Sequence, residues 1–157
     1  MALSYDTKLR IPATALSTTN VAASASYTCG ANAKVLVVMV CYAGVTQRTG
    51  GAPTYNSVAL QQAESLAGVT EAACELWYML VPPVGSALTV NVPNDNGVTM
   101  WVYVASGNAA AGYVMGVDDT GITETTGESP LVNVVTTVSG DLIFAVVATG
   151  DNSFAPI

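Results

Sequence analysis

The sequence contains no histidine and few charged residues of either sign. Its 157 residues include four Lys and Arg against eleven Asp and Glu, which gives a formal net charge of -7 at pH 7. Binding to nucleic-acid phosphates needs clustered cations, whereas the four bases are scattered along the chain, at Lys8, Arg10, Lys34 and Arg48. Without histidine, serine and cysteine nucleophiles lack their usual base. We therefore predict that the protein binds no nucleic acid and is not an enzyme.

Long hydrophobic runs are also missing. The longest apolar stretches, residues 35–43 and 142–148, are far shorter than the roughly 20 residues of a membrane-spanning helix. The first twenty residues lack the apolar core of a signal peptide. We expect no membrane span and no Sec-type leader, so a location outside the cell would require lysis, another export route, or a leader missing from this mature chain.

Charged residues make up only 10% of the chain and apolar residues 51%, whereas a typical soluble domain is about a quarter charged. Either much of the surface lies against other subunits, or it is covered with Ser, Thr, Asn and Ala. We favour extensive contact between subunits.

The three cysteines, Cys29, Cys41 and Cys74, show no metal-binding spacing. One interpretation is three buried thiols that act as small hydrophobic side chains. The alternative is a disulfide between Cys41 and Cys74, because both lie in apolar strands, with the third thiol left to cross-link neighbouring subunits.

The strongest strand pattern runs over residues 71–92, EAACELWYMLVPPVGSALTVNV. Pro82 and Pro83 cannot donate to a β-ladder, so this segment predicts two strands, a hairpin, around a Pro-Pro-x-Gly corner. Residues 34–43 form a near-continuous apolar run that is typical of a central strand buried on both faces. Residues 98–105 alternate, which predicts a strand with one aliphatic and one aromatic face.

Turn residues separate these strands. Tight turns are predicted at Asn56-Ser57 and at residues 94–97 (Asn-Asp-Asn-Gly). A last pair of strands is predicted over residues 131–138 and 141–149. We expect residues 151–157 to be a tail. Only residues 59–66 could hold a helical turn. About eight to ten short strands indicate an all-β, antiparallel β-sandwich with a jelly-roll-like arrangement. Residues 1–20 would be an arm or edge strand, and residues 21–157 a single domain.

Two groups of side chains are candidate sites. The loop over residues 118–130 holds Asp118, Asp119, Glu124 and Glu128, weak candidates for calcium because the EF-hand spacing is missing. A solvated loop is the favoured interpretation, and no metal or other cofactor is predicted. The aromatic residues Trp77, Tyr78, Trp101 and Tyr103 would form a sugar-binding platform if they shared an exposed face, but such residues more often anchor a core or an interface.

Glu75 is the one acid inside an aromatic strand. A glycosidase needs two facing carboxylates, and no partner for Glu75 can be named. We expect its side chain to point outward as the polar member of an alternating strand.

The segments YNSVAL (residues 55–60), ELWYMLVPPVG (75–85) and SGDL (139–142) resemble a largely uncharacterised β-sandwich domain family of phage structural proteins and multidomain bacterial surface proteins. The resemblance implies a β-sandwich and no catalytic residues. Ser57 stands where that family usually has Gly. Relatives also continue beyond the equivalent of residue 149, so this is a short form, or a neighbouring subunit completes the last sheet by strand addition.

These observations predict a non-enzymatic structural protein that self-assembles, with residues 2–20 or the tail reaching onto a neighbour. The leading expectation is a phage virion component: a head decoration protein, or a tail or fibre subunit. Its partners would be copies of itself and other virion proteins. The alternative is an extracellular or cell-surface module, or filament module, that binds glycans or cells.

Overall fold

A computed structural model describes residues 4–11, 22–43, 48–66, 72–108, 143–144, 146–148 and 154–156. Within these ranges every regular element is a β-strand. The strands are β1 (Ser4–Ile11), β2 (Ala23–Thr28), β3 (Ala33–Ala43), β4 (Thr54–Tyr55), β5 (Val58–Ala59), β6 (Gln61–Leu66), β7 (Ala72–Leu80), β8 (Ala87–Val92), β9 (Met100–Asn108), β10 (Val146–Ala148) and β11 (Phe154–Pro156). The predicted acidic loop at 118–130 and the predicted strand at 131–138 lie outside the described residues.

The strands form a five-stranded sheet in the order β1-β9-β3-β7-β6 and a four-stranded sheet in the order β2-β8-β4-β5. We call them sheet A and sheet B. All pairings are antiparallel. The pairs β1–β9, β2–β8, β3–β7 and β4–β5 are nested, and successive pairs alternate between the two sheets. This is a long antiparallel ribbon rolled up on itself, the jelly-roll arrangement that the sequence predicts.

The main core lies between the two sheets. Strand β3 contributes Leu36, Val38 and Val40, all fully buried, and alternate residues of β9 and β8 complete the cluster, including Met100, Val102, Val104, Val90 and Val92. A hydrogen bond between the hydroxyl groups of Tyr27 on β2 and Ser106 on β9, at 2.9 Å, crosses this core. The aliphatic side of the alternating strand β9 therefore faces the inter-sheet core.

Sheet A is apolar on its other face as well, which we call the outer face. Val35, Val37 and Met39 of β3 are buried there, and a second cluster of partly buried side chains packs against them: Leu76, Tyr78, Leu80, Tyr103 and Phe144. Strand β10 lies close to β3 and β7. Strand β3 is thus buried on both faces, as its continuous apolar sequence predicts.

The segment around Pro82 and Pro83 differs from the hairpin that the sequence predicts. Strand β7 pairs with β3 and β6 in sheet A, whereas β8 pairs with β2 and β4 in sheet B. The two prolines are therefore a corner between sheets. The physical reason is that they remove ladder donors just where a hairpin would need them.

The one stretch whose sequence could hold a helical turn, residues 59–66, instead forms parts of strands β5 and β6. Strand β5 belongs to sheet B and β6 to sheet A, with buried Leu60 between them. The Leu60 N–H donates to the Pro53 carbonyl at 2.9 Å. A bent strand of this kind closes one edge of the sandwich by switching sheets.

The two ends of the chain contribute strands of their own. Ser4–Ile11 is the edge strand of sheet A beside β9. Phe154–Pro156, within the segment that the sequence suggests is a tail, pairs with Val146–Ala148. Strand β10 is therefore paired with a strand of the same chain.

Candidate functional site

The two ends of the sandwich differ in chemistry. At one end, the described loops are residues 48–53 and 93–99. At the other end they are residues 29–32, the turn at 56–57 and the corner at 81–86. The first end contains a buried ion pair, and the second exposes valine side chains.

The ion pair is the centre of what we call the Glu75 cluster: Glu75, Arg48, Tyr42 and Trp77. Glu75 Oε2 accepts hydrogen bonds from Arg48 Nη2 at 2.6 Å, Arg48 Nε at 3.0 Å and Trp77 Nε1 at 2.6 Å. Glu75 Oε1 accepts from the Tyr42 hydroxyl at 3.2 Å. The Arg48 guanidinium also lies over the Trp77 ring, 5.6 Å from its centroid, within cation–π range.

The outward orientation predicted for Glu75 is wrong. Glu75 is only 6% exposed and Arg48 only 7%. Glu75 lies on the core side of β7, the same side as Ala73 and Trp77. A carboxylate can enter this position because it accepts four hydrogen bonds, three at Oε2 and one at Oε1. The neighbouring positive charge offsets the desolvation of a buried anion.

The same environment affects Tyr42. Burial of its hydroxyl is the main cause that raises the pKa of Tyr42, and the adjacent Glu75 carboxylate raises that pKa further. The phenol therefore stays protonated and donates to Glu75. Chemically, the cluster is a set of buried hydrogen bonds that holds a loop to a sheet.

Arg48 extends this network to two loops. Its Nη1 donates to the Gly51 carbonyl at 2.7 Å and to the Pro93 carbonyl at 3.0 Å. The Asp95 N–H donates to the Thr49 carbonyl at 2.9 Å. One buried cation thus joins β7, the 48–53 loop and the 93–99 loop.

The predicted turn at residues 94–97 is present. Asn94 is 1% exposed, and its side chain donates to the Val98 carbonyl at 2.8 Å and accepts from the Val98 N–H at 3.1 Å. Gly97 has φ 64°, as a tight turn with Gly requires.

The opposite end carries three exposed valines, which we call the valine tip: Val58, Val81 and Val84, exposed by 55%, 70% and 43%. The corner that bears Val81 and Val84 is tied to the neighbouring loop. The Val81 N–H donates to the Lys34 carbonyl at 2.7 Å, and the Gly85 N–H donates to the Cys29 carbonyl at 3.0 Å. Tyr55, opposite Val58 in the β4–β5 pair, is fully buried and donates its hydroxyl to the Tyr27 carbonyl at 3.2 Å.

Val81 has an unusual backbone conformation. Its φ is 51°, a left-handed value that is sterically costly for a β-branched side chain. The turn at Asn56 and Ser57 also has positive φ at both residues, 51° and 63°, the pattern of a type I′ hairpin turn. Ser57 therefore occupies a conformation that suits glycine better.

The structure separates the four predicted aromatic anchors. Trp77 lies on the core side of sheet A, within the Glu75 cluster. Tyr78 and Tyr103 belong to the outer-face cluster, and Trp101 alternates with core-facing Met100 and Val102, which places it on the same outer face as Tyr103. All four are partly buried.

Cys41 and Cys74 are directly opposite each other across β3 and β7. They are not joined in a disulfide. Cys41 is fully buried and Cys74 partly exposed, and burial raises the pKa of the Cys41 thiol, with a smaller contribution from Cys74. Cys29 is buried in the inter-sheet core, in the cluster of Tyr27 and Tyr55.

The four acidic residues proposed as weak calcium ligands, Asp118, Asp119, Glu124 and Glu128, lie outside the described residues. Where the structure describes the chain, no group of three or more His, Cys, Asp or Glu side chains is placed to hold a metal ion. The same part of the chain contains no helix of the length and hydropathy that a membrane crossing requires.

Sequence reasoning missed Arg48 as the partner of Glu75. The two residues are 27 positions apart, and Arg48 sits in a Gly-rich loop that reads as solvent-exposed. One signal was available in the sequence. Glu75, Trp77 and Met79 occupy alternate positions of one strand, so their side chains leave the same face, and Trp77 and Met79 are large apolar residues of the core side. An acid at such a position requires a buried cation or a set of donors.

Comparison of the chain with protein-family models, with curated proteins and with solved structures gave no significant match.

Proposed function

We propose that this protein is a non-enzymatic structural protein that works by self-assembly, and that it is a component of a phage virion, as a head decoration protein or a tail or fibre subunit. The observation that carries the proposal is the valine tip. Three large apolar side chains are exposed at one end of the sandwich, and backbone hydrogen bonds tie the corner that bears Val81 and Val84 to the neighbouring loop and strand.

Backbone strain at Val81 supports this assignment. A left-handed valine costs roughly 1–2 kcal/mol, and strained residues tend to occur where function requires them. Here the strain holds an apolar side chain in solvent, 70% exposed, next to two prolines that restrict the corner. Such a rigid projection loses little conformational entropy when it is buried against a partner.

Charge supports a second copy as the partner. The chain carries a net charge of -7, so two copies repel each other over most orientations. The described loops at the tip, residues 29–32, 56–57 and 81–86, contain no Asp or Glu, and the cation Lys34 lies just beyond the first of them. Two copies that meet through these loops therefore bring no acidic side chain of the loops together.

The size of the tip favours an assembly of many copies. Three valine side chains cover much less than the roughly 800 Å² per partner of a stable pairwise interface. A weak contact of this kind becomes effective when each subunit makes several contacts at once. Jelly-roll domains are common in viral capsids, which adds a fold-level analogy and no more than that.

Two measurements test the proposal. Sedimentation velocity over a concentration series should show growth from monomer to oligomer, and a monomer at every concentration would refute self-assembly. Mass spectrometry of purified virus particles should find the protein at high copy number relative to portal-type components. Its absence from particles would refute the virion assignment while leaving self-assembly to the first measurement.

The second candidate function is a glycan-binding module on a cell surface or extracellular filament. The observation that favours it is the shared position of Tyr78, Trp101 and Tyr103 on the outer face of sheet A. A ligand stacked on Trp101 should quench tryptophan fluorescence during titration with oligosaccharides. An unchanged emission spectrum across a panel of glycans would argue against this candidate.

A further inference from the structure

We propose that Cys41 and Cys74 form an oxidisable cross-strand dithiol, which a small-molecule disulfide such as oxidised glutathione converts into a disulfide between β3 and β7 in the folded protein. The inference stands on the position of the two residues and is independent of the proposed function.

Register brings the two thiols together. Cys41 and Cys74 are direct partners in the antiparallel β3–β7 ladder, in a run of nine paired positions without a bulge. Directly opposite residues in such a ladder have Cα atoms about 4.5 or 5.5 Å apart, and their side chains leave the same face. Both separations fall within the range of about 4.4–6.8 Å that a disulfide spans.

The two thiols differ in access, which sets the order of the reaction. Cys74 is partly exposed, whereas Cys41 is fully buried and its pKa is raised, mainly by that burial. A dissolved oxidant therefore meets Cys74 first. To react with Cys74, the Cys41 thiol then has to cross only the short distance between two paired strands.

The chemistry is two successive thiol–disulfide exchanges. The Cys74 thiolate attacks one sulfur of oxidised glutathione, so that a mixed disulfide forms and the first glutathione thiolate leaves. The Cys41 thiolate then attacks Cys74 Sγ, which forms the Cys41–Cys74 bond and releases the second glutathione thiolate. The protein loses two electrons and two thiol protons, and one glutathione disulfide is reduced to two thiols.

The location gives the bond a consequence. Strands β3 and β7 are adjacent near the centre of sheet A, and a bond between them closes the chain segment that contains the 48–53 loop, β4, β5 and β6. Cross-linking a segment of this length restricts the unfolded chain. The protein would be reduced inside a cell and locked in an oxidising environment.

The test incubates the folded, reduced protein with oxidised glutathione, blocks remaining thiols with N-ethylmaleimide, and maps the peptides by mass spectrometry. We expect loss of two hydrogen masses, a Cys41–Cys74 linked peptide, and recovery of both thiols after reduction. The melting temperature should rise by several degrees on oxidation. A persistent glutathione adduct on Cys74, or unmodified Cys41 and Cys74, would overturn the proposal.

Two variants make the result specific. Cys74→Ser removes the accessible thiol and should abolish both the cross-link and the rise in melting temperature. Cys29→Ala is the matched control, because Cys29 is buried in the other cluster, and it should leave the cross-link unchanged. A cross-link that involves Cys29 in the wild type would contradict the assignment. The wild-type peptide map decides the question even if a variant folds poorly.

Discussion

The two ends of this sandwich differ in what they bury: one end buries a charged pair, and the other exposes apolar side chains. At the Glu75 cluster, a charged pair is taken out of water and both oxygens of the carboxylate accept hydrogen bonds. At the valine tip, apolar side chains are left in water, one of them on a left-handed backbone. The first arrangement fixes loops to a sheet, and the second has an unmet preference for burial. We propose that the first end serves stability and the second serves contact between subunits.

The largest loss of stability is expected when the buried charge of Arg48 is removed, and it should distinguish the two ends of the sandwich. Arg48→Met leaves the Glu75 carboxylate buried without its cation, which should lower the free energy of unfolding by about 3–5 kcal/mol. Urea denaturation measures it. The matched control is Lys34→Met at the tip, expected within about 0.5 kcal/mol of wild type.

A double variant sharpens the same test. Arg48→Met with Glu75→Leu removes both charges, so its cost should be well below the sum of the two single costs. Additive costs, or a single-variant cost below about 1 kcal/mol, would contradict the role of the ion pair.

A pair of adjacent glycines tests how closely the 48–53 loop packs. A Cβ at Gly50 would lie 2.6 Å from the Cβ of Pro93, whereas a Cβ at Gly51 meets nothing within 4 Å. Both residues have positive φ, 112° and 84°. Gly51→Ala should cost about 1–2 kcal/mol from backbone strain, and Gly50→Ala more, because Pro93 must also move. Equal costs in thermal unfolding would show that the contact with Pro93 is unimportant.

A glycine substitution at the valine tip should raise the stability of the protein, whereas the substitutions above lower it. Val81→Gly relieves a left-handed valine and should raise stability by up to about 1 kcal/mol, since the gain from strain is partly offset by the greater freedom of glycine in the unfolded chain. Val84→Gly, at a residue without positive φ, should lower stability by about 0.5–1 kcal/mol. Chemical denaturation of the two variants decides this. Destabilisation by Val81→Gly would mean that Val81 contributes packing.

A further effect appears at high pH. Burial is the main cause that raises the pKa of Tyr55 from about 10 to about 12. The unfolded chain therefore loses this proton first, and the contribution of Tyr55 to stability is complete below about pH 10 and is lost as the pH rises towards 12. Tyr55→Phe should lose less stability than wild type over that interval. Parallel pH profiles would contradict the assignment of the shift to Tyr55.

Local sequence patterns predicted much of this fold. The apolar run of β3, the alternation in β9 and the turns at Asn56-Ser57 and residues 94–97 are all local signals, and each corresponds to an element of the structure. Sheet membership is not local. Strands β7 and β8 are neighbours in sequence and belong to different sheets, because the proline corner breaks the ladder between them.

The Glu75 cluster could not be predicted from the sequence, because its contacts also join residues that are distant in the chain. Its hydrogen bonds join residues 27 and 33 positions apart, and no spacing rule connects a loop arginine to a strand glutamate. The valine tip depends on exposure, which alternation alone cannot give at a corner between two sheets. The opposition of Cys41 and Cys74 was suggested by their apolar strands, and their register required the fold.

The most direct test of the division between the ends is a comparison of matched charge insertions by sedimentation velocity. Val81→Asp with Val84→Asp adds two negative charges at the tip. Gln61→Glu with Gln62→Glu adds two at exposed positions of β6. We predict that the wild type and the β6 variant associate with increasing concentration, whereas the tip variant remains monomeric and still unfolds cooperatively. Association of the tip variant to the same extent as the β6 variant would contradict the account.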